Sequence, residues 1–131
     1  MNRDLKRTPY VEADAAPQSA AATSPENELQ ALYRRYAEQL PATIGDIEAL
    51  WGKVSAGADP APLKSLHRAL HSLAGSGETF GYTQLGNSAK AMELALERYI
   101  GGAPIRSSAR GKFAAMLQEL KRAANTPDRP A

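Results

Sequence analysis

The residues best suited to chemistry lie in 63-LKSLHRALHSLAGSGETFG-81, which holds both histidines of the chain, His67 and His71. At a helical advance of about 100° per residue, Leu66, Leu70, Leu73, Gly77 and Phe80 gather on one side, centred roughly 130° from His71. Lys64, His67, Arg68, Ala74, Gly75 and Glu78 fall within about 60° of His71. His71 is therefore expected outside the apolar stripe, on a face with a second imidazole and two cations. Histidine as a residue type titrates near pH 6.5, so a neutral ring nitrogen is available as nucleophile or ligand at neutral pH. Glycine inside a helix costs about 1 kcal/mol relative to alanine, yet this helix takes Gly75 and Gly77. Gly77 falls in the apolar stripe, where a missing side chain lets a neighbouring helix come close. Gly75 falls one turn after His71, where it packs nothing and leaves room for a bulky partner beside the ring.

Several chemistries fit a histidine so placed. His67 and His71 at i, i+4 could ligate a metal, with Glu78 as a third ligand. The catalytic acid and further histidines of the HExxH type are missing, so no metal site is expected. A Ser-His-Asp hydrolase would need a nucleophile elbow and a cleft, and a small helical chain supplies neither. The plain alternative is a solvated helix face, with the glycines marking a frayed helix end.

The elements that carry this segment are all helical. Ser24-Pro25-Glu26 has an N-cap serine, a first-turn proline and an acid at the positive end of the helix dipole. Leu29, Leu32, Tyr33, Tyr36, Leu40, Ile44, Ile47, Leu50, Trp51 and Val54 follow at helical spacing. Pro41 either kinks this helix or opens a second one, and Gly57 closes the segment. Asp59-Pro60 starts the histidine-bearing helix, and Gly81 ends it. A third helix begins near Thr83, buries Leu85, Ala89, Met92, Leu96 and Tyr99, and stops at Gly101-Gly102. A fourth begins at Ser107 or Ser108 and buries Phe113, Met116, Leu117, Leu120 and Ala124. No stretch alternates with period two. The expected fold is all-α, an antiparallel four-helix bundle running up-down-up-down over 25–124. Residues 1–24, rich in Ala, Pro, Ser and Thr, and residues 125–131 are expected to be disordered tails.

Composition narrows the function classes. The 131 residues are 43% hydrophobic and 6% aromatic, without cysteine, so disulfides and thiolate metal sites are excluded. Sixteen basic and fourteen acidic side chains leave a net charge of +2. They are interspersed, with no Lys/Arg block, so the pI near 9.0 does not signal nucleic-acid binding. There is no long apolar run and no export signal, so no membrane association and a cytoplasmic location are expected.

The string 71-HSLAGSGETFG-81 resembles the signature of histidine-containing phosphotransfer domains, through His71, Leu73, Gly75, Ser76, Gly77 and Gly81. Leu85, Ala89 and Glu93 recur at the family's spacing in the next helix, and YAEQLPATIGDIEAL is similar to the first long helix of bacterial members. The likeness spans about residues 26–122 and is strongest over 63–97.

The resemblance implies that His71 accepts a phosphoryl group from an aspartyl phosphate on a receiver domain and passes it to another receiver. The chain would be a carrier, not an enzyme; no ATP-binding glycine-rich region marks a kinase. It implies response-regulator receivers or a hybrid histidine kinase as partners. No cofactor of the chain's own is implied, since magnesium belongs to the receiver. A monomer is expected. Glu93 would orient the imidazole through its other nitrogen; alternatively, Lys90 and Glu93 are an ordinary solvated i, i+3 pair. His67, Ala74, Gly75 and Glu78 would meet the partner, His67 as an exposed rim residue. One position departs from the pattern: the family's usual lysine is Ala74. Lys64 and Arg68, or Lys90, would replace its charge, or transfer is weak or partner-restricted. A non-catalytic adaptor that docks receiver or kinase domains without moving phosphate is the alternative.

Overall fold

The computed structural model describes residues 24–56 and 60–128. Its four helices are α1 (Pro25–Ala56), α2 (Ala61–Thr79), α3 (Thr83–Ile100) and α4 (Ser107–Ala123). The all-α, four-helix expectation holds. The expected tail over 1–23, the stop at Gly57 and the cap at Asp59 lie outside the described residues.

The chain divides into two compact units between Tyr36 and Ala37. In the first, α1 starts as its sequence dictates: the Ser24 hydroxyl accepts the Asn27 amide hydrogen bond at 3.1 Å, and Glu26 and Glu28 occupy the first turn. Leu29, Leu32 and Tyr33 are exposed there, against the expectation of a continuous buried stripe. Pro41 lies inside α1, which continues to Ala56 without splitting.

The core lies in the second unit. Leu40, Ile44, Ile47 and Val54 of α1, Leu63, Leu66, Leu70 and Leu73 of α2, Leu85, Ala89, Met92 and Leu96 of α3, and Phe113, Leu117 and Leu120 of α4 are buried. These are stripe residues of the helical periodicity, but Tyr99 and Met116 are only half-buried, and Ala123 rather than Ala124 is the buried alanine of α4. Trp51 and Tyr99 flank the Phe113 ring at centroid distances of 5.5 and 5.7 Å.

The α2–α3 pair positions the site. A Cβ on Gly77 would lie 3.1 Å from the Gly86 amide nitrogen, and one on Gly86 would lie 3.0 Å from the Ala74 carbonyl oxygen. Two helices thus meet backbone to backbone, as the place of Gly77 in the apolar stripe led us to expect. The turn between them is a Schellman closure: Gly81 takes φ +85°, and the Tyr82 amide donates to the Gly77 carbonyl at 2.7 Å. Glycine adopts that φ without the Cβ penalty other residues incur.

The C-terminal segment departs from expectation over 125–128. The Asp128 amide donates to the Gly81 carbonyl at 2.8 Å. Its carboxylate accepts from the Thr83 amide at 2.9 Å and from the Thr83 hydroxyl at 2.6 Å. Helix α3 has no side-chain cap from its own N-cap residue, Tyr82, so Asp128 satisfies an otherwise orphan first-turn N–H from 45 residues away. Those hydrogen bonds hold the Asp128 carboxyl below its ordinary pKa, the one from the Thr83 hydroxyl contributing most.

Candidate functional site

His71 stands on the outer face of α2 with its side chain 70% exposed, while Glu93 of α3 faces it with only 4% of its side chain exposed. Their contact is a 2.7 Å hydrogen bond between His71 Nδ1 and Glu93 Oε2. Burial pushes the Glu93 carboxyl pKa up, but the hydrogen bond with His71 and the nearby charges of Lys90, His71 and His67 outweigh it, and the net shift is downward. The group is therefore a carboxylate, which can only accept. Nδ1 must then carry the hydrogen, and the neutral ring keeps its lone pair on Nε2. The site thus holds a largely exposed imidazole, fixed in tautomer and orientation by a buried anion.

Glu93 is not a solvated partner of Lys90. It is buried, and the Lys90 ammonium approaches its second oxygen, Oε1, at 3.7 Å from the surface side. Oε1 receives no hydrogen bond.

Two grooves flank His71. One is lined by Ala74, Gly75, Glu78, Gly86, Asn87 and Lys90 together with His71. The other is lined by Lys64, His67, Arg68, Glu93 and Ile100 together with His71. Every site residue read from the sequence thus falls around one ring, in two sets. Gly75 has nothing within 4 Å of where a Cβ would stand, so the space inferred beside the imidazole is there. Ala74 and Lys90 share a groove, whereas Lys64 and Arg68 line the opposite one.

His67 departs from the expected exposed rim position. Its side chain is 25% exposed, and Nε2 lies 3.3 Å from Glu97 Oε2 and 3.9 Å from Glu93 Oε2. The trio His67, His71 and Glu78 is not gathered: His67 and Glu78 lie in different grooves. Sequence reasoning missed Glu97, Asn87 and Gly86. For Glu97 a signal existed. Glu93 and Glu97 repeat at i, i+4 on α3 as His67 and His71 do on α2, so the two pairs face each other. Asn87 and Gly86 carried no comparable signal.

Among the described residues, no helix is long and apolar enough to cross a membrane. No curated protein and no solved structure was found to match the chain. A family model, the Hpt domain, matches residues 31–123, which contain α2, α3, α4 and most of α1. With an exposed, carboxylate-held imidazole on the second helix of a four-helix bundle, and with that match over more than two-thirds of its length, the chain belongs to the Hpt domain family, whose members carry out histidine phosphotransfer in phosphorelays.

Proposed function

We propose that His71 is the phosphoacceptor of a phosphorelay carrier, receiving its phosphoryl group from a receiver-domain aspartyl phosphate and handing it to a second receiver. The observation that carries this reading is the 2.7 Å bond between exposed His71 and buried Glu93. It leaves Nε2 as the nitrogen with a free lone pair. That lone pair attacks phosphorus: a P–N bond forms, the P–O bond to the aspartyl oxygen breaks, and the aspartate leaves with the electron pair. The ring becomes cationic, and the Glu93 carboxylate at Nδ1–H stabilises that charge without giving up or taking a proton. Onward transfer reverses these steps. The receiver contributes its own acidic pocket and divalent ion, so this chain need only present the ring.

Lys90 takes over the charge that Ala74 does not supply. It lines the groove that also holds Ala74 and Gly75 beside His71, and the phosphoryl oxygens are strong acceptors for an ammonium. Lys64 and Arg68, across the ring, make a second cationic border toward the approaching receiver.

The test is label transfer from a phosphorylated receiver. Acid-labile, base-stable label should appear on the wild-type chain, vanish in His71→Gln and persist in His67→Gln. Label on His67, or label surviving in His71→Gln, refutes the assignment. The absent lysine at Ala74 favours a second reading, a docking adaptor. Receiver binding of normal strength with no label on the wild-type chain decides for it.

A further inference from the structure

We propose that His67, Glu93 and Glu97 form a binding site for a first-row divalent transition-metal ion of the zinc class, and that the ion competes with His71 for Glu93. One ligand atom from each of the three residues lies within 4.8 Å of the others. His67 Nε2 is 3.3 Å from Glu97 Oε2 and 3.9 Å from Glu93 Oε2. A tetrahedral Zn2+ with bonds of about 2.0–2.2 Å sets its ligand atoms about 3.3–3.5 Å apart. The His67–Glu97 spacing meets that already, a few tenths of an ångström of side-chain movement closes the His67–Glu93 spacing, and the two carboxylate oxygens, within 4.8 Å of each other, draw together on the ion.

Three further features point to a cation here. Glu93 is buried and negatively charged, and its Oε2 faces His67 Nε2 at 3.9 Å, so an anionic ligand atom stands at the cluster in a low-dielectric place. The ligands stand on α2 and α3, whose backbones lock together at Gly77 and Gly86, so the scaffold is rigid. The groove over His67 opens to the surface between Lys64, Arg68 and Ile100, leaving a route in and room for water as a fourth ligand. One imidazole and two carboxylates suit zinc, cobalt or nickel; calcium and magnesium prefer larger all-oxygen sets.

The consequence follows from a shared atom. Glu93 Oε2 accepts the His71 hydrogen bond and is also the Glu93 oxygen nearest His67. An ion on Oε2 draws electron density from the oxygen that accepts the His71 hydrogen bond, which weakens that bond and loosens its hold on the ring's orientation and tautomer. This second half rests on the phosphoacceptor reading of His71; the metal site does not.

The experiment uses the untagged full chain in chelator-treated buffer at neutral pH. Calorimetric titration with Zn2+ should give one-to-one binding, and Co2+ should produce the visible absorption of a tetrahedral complex. His67→Gln and Glu97→Gln should each weaken affinity at least about tenfold, while His71→Gln should bind as tightly as wild type or more tightly. No one-to-one binding by wild type, unchanged affinity in both His67→Gln and Glu97→Gln, or loss of binding in His71→Gln overturns the site. In label transfer from a receiver, Zn2+ added with matched Mg2+ should slow wild type and leave Glu97→Gln unaffected. Bound zinc with undiminished labelling overturns the competition. Zinc bound as expected by a chain that never accepts label sustains the site and refutes the reading of His71.

Discussion

A buried carboxylate is costly unless something answers its charge, and Glu93 is answered by His71, Lys90 and His67. The arrangement explains why an acid sits on the inner face of α3 between Met92 and Leu96, both fully buried. It also predicts how the site fails. Glu93→Gln keeps the shape but replaces an anionic acceptor with a neutral amide, which can also turn its NH2 toward Nδ1 and select the wrong tautomer. Charge-assisted hydrogen bonds contribute about 1.5–3 kcal/mol, so phosphotransfer should slow by about 10- to 100-fold. Receiver affinity, measured separately, should change little. A Glu93→Gln chain that transfers at the wild-type rate would remove the carboxylate from the chemistry. Lys90→Ala should also slow transfer, and by more than Lys64→Ala, because Lys90 shares the Ala74 groove while Lys64 lies in the other.

At the scale of the helices, the glycines of α2 and α3 divide into two kinds, and one substitution tells them apart. Gly75 is exposed, helical and open, with nothing within 4 Å of the place a methyl group would take. Gly75→Ala should therefore stabilise the fold by up to about 1 kcal/mol through helix propensity, while larger side chains at the same place should obstruct the receiver and leave the fold intact. Gly86→Ala meets the Ala74 carbonyl oxygen at 3.0 Å and the Glu78 amide nitrogen at 3.2 Å. Both are backbone atoms and neither can swing aside, so this change should destabilise by about 1–3 kcal/mol. Urea unfolding of the two variants should move the midpoint in opposite directions; equal shifts of one sign would refute the close-contact account. The contrast also marks how far the sequence could be read. Gly77 was legible because its own helix places it in the apolar stripe. Gly86 was not, because its role depends on the register of α3 against α2, which no periodicity within one helix encodes. His71 was legible for the same local reason as Gly77. The turn of His67 toward Glu97 required that same register. Leu29, Leu32 and Tyr33 follow helical spacing yet are exposed, because periodicity says which face is apolar and not whether anything covers it.

At the scale of the whole chain, the α2–α3 pair is secured from outside by residues that look like a fraying end. Asp128 bonds to Gly81 in the turn and to Thr83 at the start of α3, so the segment after α4 braces the two helices that carry His71 and Glu93. A short polar run containing prolines gives no sign of this, since the cap belongs to a helix 45 residues upstream. The brace is tied to pH. Asp128 has a folded pKa below its ordinary value, so its contribution to stability is fully present above the unfolded carboxyl pKa of about 3.9. It disappears as pH falls through the depressed folded value. Asp128→Asn should accordingly lower the urea midpoint at pH 7 and speed hydrogen exchange at the Thr83 amide. The gap between variant and wild type should close as pH is brought down through the depressed value. Every other carboxylate is common to both proteins, so its share of acid unfolding cancels in the difference. A gap that stays constant from pH 7 down through that range would mean that the Asp128 charge contributes nothing, and no gap at any pH would mean that the segment is held by its backbone bond to Gly81 alone.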